Sequence, residues 1–127
     1  MPKILIADDE PHIRLLIEQA IEELEDEGVE ILTATNGEEA LSMILSEAPD
    51  LVLLDVMMPG MDGFQVCERL RRDPRTAAAH VIFLTAKGQE YDRARGQQAG
   101  ADTYITKPFD PDHLLETARE IVGPGGR

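Results

Sequence analysis

Short apolar runs alternate with stretches of helical period five times along the chain. Ile4-Leu5-Ile6-Ala7 reads as a first strand. Ile13, Leu16, Ile17, Ala20, Ile21 and Leu24 then recur at the spacing of one helix face, and Pro11 falls where a helix accepts proline, in its first turn. Residues 29–35 read as a second strand whose Glu30 and Thr33 suit a sheet edge. Asn36, with Glu39 three positions on, marks the start of a second helix carrying Ala40, Leu41, Ile44 and Leu45. Leu51-Val52-Leu53-Leu54 is apolar throughout, as a strand covered on both faces must be. Pro59-Gly60 makes a turn, and Asp62 caps a third helix with Phe64, Cys67 and Leu70 facing inward. Val81-Ile82-Phe83-Leu84 is a fourth strand, and residues 88–99 form a fourth helix. Its apolar stripe is thin, mainly Tyr91, Ala94 and Ala99, and it contains Gly96. Tyr104-Ile105-Thr106 is a fifth strand. Asp110 as cap and Pro111 as first residue open a fifth helix with Leu114, Leu115, Ala118, Ile121 and Val122 on one face.

Five β-α units in succession predict one α/β domain, a doubly wound five-stranded parallel sheet with five helices on its two faces. The domain is expected to span residues 1–122. Residues 123–127, Gly-Pro-Gly-Gly-Arg, are expected to be a flexible tail or the stub of a linker.

Composition changes this picture in three ways. No apolar run approaches the roughly 20 residues that span a bilayer, so no membrane association is expected. The one cysteine, Cys67, excludes an intramolecular disulfide, and a cytoplasmic setting is the expectation. The formal net charge of -13 repels phosphate backbones, so direct contact with nucleic acid is not expected.

In an open α/β sheet the site lies beyond the carboxyl ends of the strands. The first strand ends at Asp8-Asp9, the third at Asp55 and the fourth at Thr85, and the fifth is followed by Lys107-Pro108. Each alone has an ordinary explanation: a helix cap, a turn residue, a solvated lysine. Together they set three carboxylates, a hydroxyl and an ammonium at one sheet edge. Three carboxylates this close repel, and a cation relieves them. A hard divalent ion with oxygen ligands, Mg²⁺ or Mn²⁺, balances the charge together with Lys107. Asp9 and Asp55, helped by Asp8 through water, are sufficient ligands. A carboxylate can take a phosphoryl group as a nucleophile. Such transfer needs positioning and charge neutralisation more than a general base.

Ile4-Leu5-Ile6-Ala7-Asp8-Asp9-Glu10, Asp55-Val56-Met57-Met58-Pro59-Gly60-Met61-Asp62-Gly63, Leu84-Thr85-Ala86, Ala99-Gly100-Ala101-Asp102 and Tyr104-Ile105-Thr106-Lys107-Pro108-Phe109 resemble the response-regulator receiver family, in order and in register. The resemblance implies the flavodoxin-like strand order 2-1-3-4-5. It implies Asp55 as phosphoacceptor, with metal held by Asp8, Asp9, Asp55 and the Met57 backbone carbonyl. It implies Thr85, Ala86 and Lys107 around the phosphate, a cis peptide before Pro108, and Thr85 with Tyr104 as the switch pair. Met57 and Lys87, by position, flank the approach of the water that removes the phosphate. A sensor histidine kinase or histidine phosphotransfer protein is the expected donor. The output is expected through the face of the fourth helix, fifth strand and fifth helix, toward a protein target or an effector domain. Thr103, His113 and Thr117 stand where the family's winged-helix branch usually carries acidic, acidic and basic residues, so the expectation is a monomer or a weak, phosphorylation-dependent dimer. A self-contained enzyme of the haloacid-dehalogenase kind fits less well, because its two aspartates share one strand end and its substrate cap needs more chain. A degenerate receiver that only binds partners is at odds with a complete site. The expected role is a signalling switch and not an enzyme.

Overall fold

The computed structural model describes residues 1–86 and 93–122. Lys87, Tyr91, the opening of the fourth predicted helix and the tail 123–127 lie outside the described residues. The strands are β1 (Lys3–Ala7), β2 (Glu30–Ala34), β3 (Leu51–Asp55), β4 (His80–Ala86) and β5 (Thr103–Lys107). They form one parallel sheet in the order β2-β1-β3-β4-β5. The predicted class and strand order are therefore the observed ones.

Among the described residues there are six helices and not five: α1 (Pro11–Ile21), α2 (Glu23–Asp26), α3 (Gly37–Glu47), α4 (Gly63–Arg72), α5 (Arg93–Ala99) and α6 (Pro111–Val122). The first predicted helix is interrupted at Glu22, and its last turn becomes α2. Apolar spacing carries on across this break, with Ile17, Ile21 and Leu24 all fully buried, so periodicity alone does not reveal it. Leu16 is 50% exposed, contrary to its expected place on the apolar face. It lies beside the i, i+4, i+8 line of Ile13, Ile17 and Ile21 that packs on the sheet. Ala94 is also exposed; Gly96 and Ala99 are the residues α5 buries.

Strand alternation splits the core into two layers. Leu5, Ala7, Val52, Leu54, Val81 and Phe83 point to the layer of α3, α4 and α5. Ile4, Ile6, Leu51, Leu53, Ile82 and Leu84 point to the layer of α1, α2 and α6. All five residues of β3 are buried, in keeping with its central place.

The caps follow the sequence closely. The Asn36 side chain accepts from the Glu39 amide at 2.8 Å, while the Glu39 carboxylate reaches back to the Thr35 amide, one residue before the cap. Asp62 and Gln65 form a reciprocal capping box at the start of α4. Asp110 accepts from the Asp112 amide at the start of α6. No described helix is long and apolar enough to cross a membrane.

Candidate functional site

Register brings the polar strand ends together. β1 and β3 pair Ala7 with Leu54, so the next residues, Asp8 and Asp55, leave the sheet side by side. β3 and β4 pair Asp55 with Leu84, and β4 and β5 pair Thr85 with Thr106 and Ala86 with Lys107. Thr85, Ala86 and Lys107 belong to the strands themselves, which run further than their apolar runs. The Lys107–Pro108 peptide is cis.

Asp8 is fully buried, Asp55, Thr85 and Lys107 are nearly so, and Asp9 is exposed. One carboxylate oxygen from each of Asp8, Asp9 and Asp55 lies within 4.8 Å of the others, a group able to hold a metal ion. The donors are all hard oxygens on an acidic surface, which suits a divalent cation of the Mg²⁺ or Ca²⁺ class better than a thiolate- or imidazole-seeking metal.

The Lys107 ammonium is the counter-charge. Its Nζ lies 3.0 Å from Asp8 Oδ2, 3.7 Å from Asp55 Oδ2 and 3.6 Å from Glu10 Oε1. Burial pulls its pKa down, but the hydrogen bond to Asp8 and the charges of Asp55, Asp8 and Glu10 outweigh that, and it stands above the usual lysine value. The Asp55 carboxyl is pushed up to about 7, first by burial and then by the Asp8 charge, against the opposing pull of Lys107 and a bond from the Met57 amide. One lysine thus leaves the cluster short of positive charge.

Met57 is anchored through its backbone, its amide donating to Asp55 Oδ1 at 3.1 Å, while the residue is 60% exposed. Tyr104 pairs with Phe83, two residues before Thr85 on β4, so its ring and the Thr85 side chain share the face toward α4 and α5. Arg93 of α5 donates to the Tyr104 hydroxyl and lies over its ring, 5.2 Å from the centroid. Thr103 and His113 are exposed and Thr117 is half-buried, its hydroxyl donating to the His113 carbonyl.

Two residues beside the cluster escaped sequence reasoning. Glu10 shares Lys107 and its amide donates to Asp8 Oδ1 at 2.9 Å. Arg14 donates to the Asp8 carbonyl at 2.7 Å. Glu10 stood in the motif that carries the resemblance but without a role, and the sequence signal for Arg14 was closeness to Asp8-Asp9.

The response regulator receiver domain model matches residues 4–119. The chain belongs to this family. The receiver is 44% identical over 122 residues to the DNA-binding dual master transcriptional regulator RpaA of Synechocystis sp., an alignment spanning 96% of the receiver chain and 49% of that protein. It is 45% identical over 125 residues to the phosphate regulon transcriptional regulatory protein PhoB of Pseudomonas aeruginosa, spanning 96% of the receiver chain and 53% of that protein. The receiver chain spans about half the length of these curated relatives. Among solved structures, chemotaxis response regulator CheY4 of Vibrio cholerae superposes with a TM-score of 0.83 at 31% identity, covering 96% of the receiver chain and 99% of that chain. As a response regulator receiver, the chain is a phosphoryl-accepting signalling domain of the two-component kind.

Proposed function

We propose that Asp55 is the phosphoacceptor, taking its phosphoryl group from a sensor histidine kinase or a histidine phosphotransfer protein. The observation that carries the assignment is the convergence of Asp8, Asp9, Asp55 and Lys107 at the ends of three strands. Asp55 is the member that ends the buried central strand with an orienting bond from the Met57 amide. In the transfer an Asp55 carboxylate oxygen forms the new O–P bond as the donor's N–P bond breaks, and the electron pair leaves with the donor imidazole. Lys107 faces one phosphoryl oxygen and the Thr85 hydroxyl donates to another, while the small Ala86 leaves room beside them. The carboxylates of Asp8, Asp9 and Asp55 with the Met57 carbonyl would hold Mg²⁺ or Mn²⁺. The ion's contribution, when bound, is to neutralise charge on the phosphoryl oxygens.

Thr85 and Tyr104 act as the switch pair, and the face of α5, β5 and α6 is the output surface. The target is a protein or an effector domain, as the names of the curated relatives suggest. The receiver itself, at a net charge of -13, does not touch nucleic acid. It is a cytoplasmic switch without substrate turnover, monomeric or weakly dimeric when phosphorylated. Met57 and Lys87 set the lifetime of the phosphate: an apolar and a basic side chain hold the attacking water poorly, so the phosphoprotein is long-lived.

Incubation with a small phosphoramidate donor and Mg²⁺ tests the central assignment. The expected result is a mass gain of one phosphate in the wild type and none in Asp55→Asn. Phosphate on an aspartate in that variant would overturn it.

A further inference from the structure

Among the described residues Arg14 also brings a positive charge to the acidic edge, and its position is unfavourable for the helix that carries it. Arg14 lies in the opening turn of α1, where the helix dipole favours anions. In that turn α3 carries Glu38 and Glu39 and α6 carries Asp112, whereas α1, like α4 and α5, has no acidic residue, and it has no side-chain cap from Glu10. Its guanidinium turns back along the chain, and Nη1 donates to the Asp8 carbonyl at 2.7 Å. The backbone amide of Arg14 donates to the Glu10 carbonyl at 3.0 Å. The second bond is the ordinary first bond of the helix, so it is the guanidinium that ties α1 back to the end of β1.

The accepting carbonyl matters because of what shares its peptide plane. The Asp8 carbonyl and the Asp9 amide form one rigid unit. Asp8 is also held at its amide by the Ala34 carbonyl, at Oδ1 by the Glu10 amide and at Oδ2 by Lys107. Asp9 is exposed, and the plane before it fixes the N and Cα from which its carboxylate is carried.

We propose that Arg14 is a positioning residue for the metal site: by fixing the Asp8–Asp9 peptide it aims the Asp9 carboxylate at the cation. This rests on the reading of Asp8, Asp9 and Asp55 as metal ligands. Arg14 touches neither the ion nor the phosphoryl group.

Electrostatics and positioning predict opposite signs. Arg14 is a cation near a cation site, so by charge alone its removal strengthens metal binding. If it positions Asp9, removal weakens binding by about three- to ten-fold, the scale of one ordinary hydrogen bond. The experiment is titration of wild type, Arg14→Ala and Arg14→Lys with Mn²⁺, followed calorimetrically, with amide exchange of Asp9 and Glu10 read in parallel. The inference expects a raised Kd and faster exchange in Arg14→Ala. It expects recovery of most of the affinity in Arg14→Lys, which keeps a donor that can reach the carbonyl. An equal or lower Kd in a folded Arg14→Ala overturns it, as does a Kd in Arg14→Lys no better than in the alanine variant. Absence of binding by the wild type would instead remove the metal site, and the role of Arg14 with it.

Discussion

Lys107 and Asp8 lie 99 residues apart in sequence and form a buried ion pair of 3.0 Å, with Asp8 fully enclosed. Removing one partner of such a pair leaves the other desolvated without compensation. Lys107→Ala is expected to lower stability by about 3 kcal/mol in metal-free buffer, and Mg²⁺ should restore part of that loss. Urea denaturation with EDTA and with Mg²⁺ measures both. A loss below about 1 kcal/mol, the scale of a surface pair, would show that Asp8 does not depend on the lysine.

Asp55 gives a pH dependence of definite sign. Its folded pKa, about 7, stands above the ordinary value of 3.8. Between these values the folded state binds more protons than the unfolded, so stability contributed by this group falls as pH rises and levels off above about 7. Metal-free wild type should therefore lose stability relative to Asp55→Asn between pH 5 and pH 8, and Mg²⁺ should close the gap at the upper end. Parallel melts of the two proteins across that range test this. A constant difference between them would contradict it.

Gly63 supports the backbone of Asp55 from beneath. A Cβ at Gly63 would sit 2.5 Å from the Asp55 carbonyl oxygen and 2.9 Å from Val56 Cα. Both are backbone atoms, so the strand end itself would have to shift. Gly63→Ala is expected to cost about 2 kcal/mol and to slow phosphorylation from a small-molecule donor. A variant with lowered stability but wild-type phosphorylation would separate the packing effect from the site.

Arg71 straps the far end of the sheet. Its guanidinium donates to the carbonyls of Gly100, Ala77 and Ala79 and to the Asp102 carboxylate, which also accepts from the Val81 amide. Arg71→Ala takes the donor from the three carbonyls and leaves Asp102 with the Val81 amide alone, and it should cost about 3 kcal/mol, with faster hydrogen exchange in residues 99–103. Gly100 has φ of 99°, and its missing side chain leaves room for Arg71, so Gly100→Ala should show the same local opening. Unchanged exchange in both variants would show that the loop is held by other contacts.

The fold was readable where one layer of information sufficed. The unbroken apolar run at Leu51–Leu54 located the buried central strand, and Asp62 and Asn36 announced their helices by side-chain chemistry. The candidate site was readable because a parallel sheet gathers its strand ends, so one polar residue per end was enough to bring Asp8, Asp55, Thr85 and Lys107 together. Three other relations were not readable. The break at Glu22 interrupts no apolar spacing. β4 extends through Thr85 and Ala86 because β5 pairs with them, which a polar residue in the sequence conceals. Arg14 and Arg71 act on backbone carbonyls, which every residue carries, so no sequence pattern marks their partners.

The burial of the strands gives the sheet a stiff middle and a compliant margin. β3 is buried along its whole length, whereas β5 is covered only at Lys107 and otherwise half-buried or open. Close-packed interiors resist displacement. A disturbance at the Asp55 end of β3 is therefore expected to meet resistance from the covered strands around it and to relax at β5, which has exposed positions. α5 lies over that margin, burying only Gly96 and Ala99 of its described residues. Mechanically, the centre serves as an anvil and the β5 edge as the part that yields, so the direction of a signal would follow from where the sheet is left uncovered.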